Sequence, residues 1–439
     1  MEQTPKKELT LFDSTCLIVG IIIGAGIYET APTVAASVNH AWGIFVLWIV
    51  GGLLSLAGAL CYAELASAYP REGGDYVYLT RAYGRWAGFL FGWIQLIIVR
   101  PGDIALMAFI FARYAKQLYN PLAQNTDWFS QHAMYLIYAC AAVILLSLIN
   151  IIGVRQGKWT QNFLTVVKTL GLALIVFVGL TEPAAAPAAV AQTAAWQPPL
   201  SLAMILILFT YGGWNEMAYV AAEVKDPKRN ILRALVVGTI AVIVLYLLAN
   251  AAFLRSLGHA GMAGTEAIAV DTIRGRFGDF GPRIIAIIIC ISALGAVNGL
   301  IFAGARISYA LGKDHRLFNA LGQWHGQRST PVPALILQTI LALILIVAFG
   351  SFERTILYTA AAVYMFYMAT SLSVIVLRRR EPDVERPFRV TGYPFTPILF
   401  AGVCAFLIYS GAIYKPKEAG ISLAILGLGV AVYFLSRRR

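Results

Sequence analysis

The sequence predicts an all-α membrane protein of 12 transmembrane helices, and three observations predict it. Of its 439 residues, 59% are hydrophobic and only 13% charged, a balance that a water-exposed surface cannot support. Apolar runs of about 20 residues recur along the whole chain, each long enough to cross a hydrocarbon layer of roughly 30 Å as a helix. No long polar stretch remains for a separate soluble unit, so residues 1–439 read as a single membrane domain.

The first five spans fall at approximately 11–38, 41–68, 84–118, 131–152 and 160–181. The next five fall at 200–224, 232–255, 281–311, 332–350 and 354–377, and two more at 394–413 and 419–436. Several exceed what a bilayer needs, which fits tilt or a break. With the N-terminus in the cytoplasm, 22 of the 34 Lys and Arg residues lie in inner loops and tails, so the positive-inside rule puts both termini there. The Ala/Pro-rich stretch 181–199 reads as an outer linker. Within 256–282, "AGTEAIAVDTIRG" has helical spacing and suggests either a short helix over the outer vestibule or a simple connector.

Composition excludes several classes. The net charge of +12 is spread over alternate loops and not interleaved with aromatics on one face, which argues against nucleic acid. Cys16, Cys61, Cys140, Cys290 and Cys404 all sit within or beside apolar runs and form no CxxC pair, so they read as buried thiols. No metal or cofactor is called for. His40, His132, His259, His315 and His325 lie near span ends or in loops, which leaves no catalytic constellation at depth and argues against an enzyme.

Two spans weaken their own helices halfway. "GIIIGAGIYETAP" (20–32) carries Gly24, Ala25 and Gly26, and "FTYGGWNEMAYV" (209–220) carries Gly212 and Gly213. Glycine lowers the cost of leaving helical dihedrals. The backbone groups so freed cannot face lipid and must line protein or a polar cavity. A half-helix N-terminus attracts a carboxylate, and free carbonyls accept from an ammonium. Small residues at helix contacts explain either cluster alone. Their positions five spans apart fit two repeats of opposite topology with a site between them, spans 1–5 and spans 6–10.

At these residues the chain resembles the amino acid–polyamine–organocation superfamily. "IIIGAGIY" is similar to its GSGIF motif, and "FTYGGWN" with "AEVKDPKRNILRAL" resembles the L-type amino acid transporter branch. "IIVRPGDIALMAFIFARYA", "GAVNGLIFAGARISYALGKD" and "RPFRV" resemble the same branch, so the similarity runs over nearly the whole chain. The resemblance implies a leucine-transporter-type 5+5 inverted repeat with two additional helices, carrying amino acids by alternating access across the cell membrane. It further implies that N–H groups of Gly24, Ala25 and Gly26 hold the carboxylate and that carbonyls of Ile22, Phe209 and Gly212 hold the amine. Phe209 would be the gating ring, with Trp214 and Asn215 beside the pocket. Ala25 stands where the family usually has serine, so one hydroxyl donor is missing. The loop "NPLAQNTDWFSQ" lacks the cysteine that joins the animal branch to a single-span partner, so no obligatory heavy-chain partner is expected, though a homo-oligomer stays open.

Lys168 lies about eight residues into its predicted span, ~12 Å deep at 1.5 Å per residue, where a lysine needs partners. The family resemblance puts it in place of a coupling sodium ion and implies sodium independence. Arg100 and Asp103, one turn apart, suggest a local charge pair, with Pro101 between them kinking the helix. Glu64, Glu223 and Arg306 should reach the cytoplasmic interface or one another, and the deeper Glu216 suggests a structural polar contact or a proton-coupling group. The leading expectation is a sodium-independent carrier of neutral L-amino acids, because no acidic cluster faces the expected pocket. Glu29 keeps cationic amino acids and polyamines open, and exchange and proton symport are both compatible with the sequence.

Overall fold

The computed structural model describes residues 6–121, 128–181, 198–265, 267–349, 352–414 and 416–436. Among them every regular element is helical, in the order α1 (Leu11–Ile22), α2 (Gly26–Ala36), α3 (Ala41–Ala68), α4 (Asp75–Tyr83), α5 (Arg85–Ile94) and α6 (Arg100–Leu118). Then follow α7 (Trp128–Ile152), α8 (Val154–Thr181), α9 (Leu200–Thr210), α10 (Glu216–Tyr219), α11 (Pro227–Gly264) and α12 (Ile268–Phe277). The last are α13 (Gly281–Asp314), α14 (Val332–Phe349), α15 (Phe352–Arg380), α16 (Phe395–Tyr414) and α17 (Pro416–Ser436). Seven stretches among the described residues are long and apolar enough to cross a membrane, or eight if the bent pair α1–α2 is one span. The stretches 182–197 and 122–127, within the predicted outer linker and the loop after span 3, lie outside the described residues.

The outer surface is a lipid surface. Leu53, Leu145, Leu170, Phe177, Val347 and Phe434 are exposed on helix flanks, where water would make such side chains costly. Exposed Trp42, Trp86 and Trp159 sit at the starts of α3, α5 and α8, as an aromatic belt requires. At the start of α1, Thr10 and Asp13 form a capping box: the Asp13 N–H donates to Thr10 Oγ1 (3.2 Å) and the Thr10 N–H to Asp13 Oδ2 (2.9 Å). Asp13 is also held by Lys158 (3.2 Å) and Asn162 (2.6 Å) of α8, so this helix end is docked as well as capped.

Helix α13 runs through the core, and three of its glycines clear space for neighbours. A Cβ on Gly299 would lie 2.5 Å from Ile21 Cγ1, one on Gly304 2.6 Å from Arg100 Cδ, and one on Gly295 3.1 Å from Lys168 Nζ. The small-residue run "GAVNGLIFAGAR" therefore sets how closely α1, α6 and α8 approach the centre. Between α5 and α6 the chain is π-helical over Gln95–Val99, just before Pro101. The missing N–H of Pro101 is thus absorbed by a wider turn upstream. Helix α11 continues past the predicted end of its span, with a kink at Gly258 (φ 69°). The helical spacing noted in 256–282 becomes α12, whose Ile268, Ala269, Thr272 and Ile273 are buried.

Candidate functional site

Both predicted breaks are present and line one cavity. Helix α1 leaves helical geometry at Ile23 (φ −69°, ψ 90°), α2 restarts at Gly26, and the two axes bend by 49°. Helix α9 ends at Thr210, and a turn over Tyr211–Asn215 leads into α10. Gly213 adopts φ 114°, a conformation strained for any residue with a Cβ, and such a Cβ would lie 2.6 Å from Ile21 Cγ2. The two interruptions therefore touch through Ile21 and Gly213. The cavity between them offers about 140 Å³ to the centres of water-sized spheres, and residues of both breaks line it.

The carbonyls that the first break releases are largely taken by protein donors. Lys168 Nζ donates to the Gly20 carbonyl, and also to Ser292 O of α13 at 3.3 Å. The Tyr246 hydroxyl of α11 donates to Ile22 O (2.8 Å), and Ser292 Oγ donates to Ile23 O (3.0 Å). The N–H side is more open. No side chain caps α2, and Gly24 and Gly26 stand on the cavity wall, so the half-helix presents N–H groups and the positive end of its dipole. In the second break, the Gly212 N–H donates to Phe209 O (2.9 Å) and the Glu216 N–H to Gly213 O (3.2 Å).

Of the residues singled out from sequence, Ile22, Gly24, Gly26, Phe209, Gly212, Trp214 and Asn215 line the cavity. Ala25 is buried and is not on its wall. Asn215 is committed to protein partners: Tyr367 donates to its Oδ1 (2.8 Å), and its Nδ2 faces Tyr219 Oη (3.0 Å) and Glu216 Oε1 (3.3 Å). Trp214 is wedged among Tyr62, Tyr367 and Phe400, with ring centroids 5.0, 5.6 and 5.8 Å away. Lys168 lies behind the first break, near the middle of α8, deeper than the predicted start of its span suggests.

Several expectations about charge change. Arg100 does not pair with Asp103; it crosses to Glu216 Oε1 (2.7 Å), and Gln95 accepts from its Nε (3.1 Å). The π turn explains the difference, because it rotates Arg100 to the side of Gln95 and toward α10. Glu223 and Arg306 do meet, at 2.7 and 3.1 Å, and Glu64 is held by Arg378 at 2.8 and 2.6 Å. Asp103 and Glu216 both stand on the cavity wall, which removes the ground for expecting neutral substrates alone. Glu29 is away from that wall, half-exposed, 4.0 Å from Arg113.

Sequence reasoning missed Tyr246, Ser292 and the wall formed by Val363, Tyr364 and Tyr367 of α15 with Phe400, Val403, Cys404 and Leu407 of α16. A tyrosine inside the apolar run "VIVLYLLAN" was the available signal for Tyr246. The wall on α15 and α16 left none, because its residues are those expected of any buried helix face.

A family model described as amino acid permease matches residues 9–432. The Mus musculus protein named large neutral amino acids transporter small subunit 2 is 32% identical over 447 residues, covering 98% of this chain and 81% of the relative. The Homo sapiens protein of that name is also 32% identical, covering 98% and 80%. The Mus musculus protein named b(0,+)-type amino acid transporter 1 is 31% identical over 443 residues, covering 98% and 88%. These relatives correct the expectation of a self-sufficient carrier, since two are named as a small subunit. The inference failed because one absent cysteine removes only a covalent link and leaves non-covalent association untouched.

Proposed function

Because the chain belongs to the amino acid permease family, a family of transporters and not of enzymes, we propose that it carries L-amino acids across the cell membrane by sodium-independent exchange. The observation that carries this is the pair of interrupted helices facing one cavity, with Lys168 donating to the Gly20 carbonyl behind the first. A fixed ammonium there does for the freed carbonyl what a bound cation would do, so sodium has no vacant role. In this proposal the open end of α2 takes the substrate carboxylate, carbonyls of the second break take its ammonium, and Phe209 closes over it. In this proposal the chain has twelve spans, with 11–181 and 200–377 as inverted repeats and 394–436 as an addition, a reading supported by the matched breaks at α1–α2 and α9–α10, and both termini are cytoplasmic on the excess of Lys and Arg in the inner loops.

The test is uptake of a radiolabelled amino acid panel into proteoliposomes, with and without internal amino acid and with choline replacing sodium. Exchange requires internal substrate and is indifferent to sodium. Uptake driven by a proton gradient into empty vesicles would replace exchange with symport, and no uptake of any amino acid would remove the proposal.

A further inference from the structure

The cavity wall carries a carboxylate that the backbone cradle does not use. Asp103, Leu106 and Met107 of α6 line the cavity at i, i+3 and i+4 spacing, hence from one helix face. Tyr364 and Tyr367 of α15 line it too, their rings 6.2 Å apart and edge-on. Asp103 makes no hydrogen bond or ion pair among the described residues, and the charges that act on it are Arg100 and Glu216. Arg100 gives its Nη2 to Glu216 Oε1 and its Nε to Gln95, while its Nη1 has no hydrogen-bond partner among the described residues, so its single positive charge is shared between two carboxylates. Glu216 is 4% exposed, and its second oxygen, Oε2, has no partner among the described residues. Among the residues on the wall, Asp103 and Glu216 are the charged ones, and no Lys or Arg lines it. With both carboxylates ionised, the cluster Arg100, Glu216 and Asp103 carries one negative charge in excess, at a depth where uncompensated charge is costly.

We propose that this part of the cavity is a subsite for a second positive charge, so that the carrier takes amino acids whose side chains end in an ammonium or guanidinium group. The proposal rests on the cavity being the amino acid site. Asp103 supplies a charge-assisted acceptor and Glu216 Oε2 a second one, while the Tyr364 and Tyr367 rings offer faces to a cation. The bound cation brings the cluster to neutrality. A neutral side chain of the same length leaves the Asp103 carboxylate uncompensated and binds less well.

The experiment compares uptake of L-lysine with that of L-norleucine, which has the same carbon chain without the terminal amine, by the full chain in proteoliposomes. The wild type should prefer lysine. Asp103→Asn should lower the lysine-to-norleucine ratio by about tenfold or more, the scale of a lost hydrogen bond to a charged group, and Asp103→Glu should restore most of it. An unchanged ratio in Asp103→Asn overturns the proposal. So does an equal loss of both substrates in a variant that still folds, which would assign Asp103 to proton carriage or structure. A wild type that carries norleucine and not lysine refutes the cationic subsite alone. One that carries neither refutes the amino acid site on which it rests.

Discussion

Replacing Lys168 by Met tests the first break most directly. The side chain keeps its length and much of its volume but loses the donor. Of the two carbonyls that Lys168 serves, Ser292 O keeps its own helical partner inside α13. Gly20 O does not, because its partner in a continuous helix would be Gly24, and the chain has left the helix by then. The substitution therefore orphans one buried carbonyl, at about 1–3 kcal/mol. At 1.4 kcal/mol per tenfold, that is a fall of roughly 5- to 150-fold in the population holding α1 and α2 in this geometry. Uptake into proteoliposomes should fall by a factor in that range, with the variant still folded by thermal unfolding in detergent. Wild-type uptake should be the same in sodium and in choline. A sodium requirement in the wild type, or full uptake by Lys168→Met, refutes the assignment of the ammonium as a built-in cation.

Gly213→Ala should reduce uptake more than Gly212→Ala, because it adds a left-handed strain of about 1–3 kcal/mol to a clash with Ile21, whereas Gly212 is outside the left-handed region and its Cβ would come no nearer than 3.0 Å to Phe209 O; equal effects would relocate the hinge. Phe209→Ala should slow uptake without lowering the unfolding temperature, since Phe209 lines the cavity and is only partly buried, and an unchanged rate would end its proposed role as a lid. Arg306→Met strands the fully buried Glu223 and should destabilise the protein by about 3–5 kcal/mol, with the double change Arg306→Met and Glu223→Gln recovering much of that in thermal unfolding. Glu381, beyond the end of α15, is pushed up by partial burial but more strongly down by hydrogen bonds from Arg81 and Tyr69, so its pKa falls below 4.5. Its contribution to stability is then complete above pH 4.5 and lost as pH drops through the lowered value, and Glu381→Gln should flatten the acid limb of a melting-temperature profile.

What was legible in the sequence follows from what has a local signature. Gly24–Gly26 and Gly212–Gly213 announce themselves by their matched places five spans apart, since a single glycine cluster in mid-membrane reads equally well as a helix contact. That the chain is built of long apolar helices follows from the length a bilayer requires, and seven such stretches, or eight with the bent pair, are present among the described residues. Partners across helices are another matter. Arg100 and Asp103 are one turn apart and suggest each other, yet the π turn before Pro101 sends Arg100 to Glu216, 116 positions away. Whether a span contains a π turn is a matter of one hydrogen-bond register, and Pro101 alone marks a disturbance without giving its form. Tyr246 and Ser292 were hidden for a related reason: hydroxyls are unremarkable in membrane helices, and only packing shows that these two meet the Ile22 and Ile23 carbonyls.

With the cavity as the proposed amino acid site, those hydroxyls also constrain how a zwitterion would lie in it. A broken helix offers both kinds of backbone group, so two interruptions alone would not orient a substrate. Here Lys168, Tyr246 and Ser292 occupy the Gly20, Ile22 and Ile23 carbonyls, which leaves the first break chiefly a donor. The uncapped α2 terminus adds a positive dipole end on the same side. In the proposed site a carboxylate is favoured there and an ammonium is not, so the amine would turn toward the carbonyls of α9 and its turn, whose residues also line the cavity. The second break is held open by Gly213 against Ile21, whose side chain fits because α13 has glycine at 299. In the proposed site, orientation of the substrate would thus depend on α8, α11 and α13, three helices whose donors and glycines act on the cradle from behind.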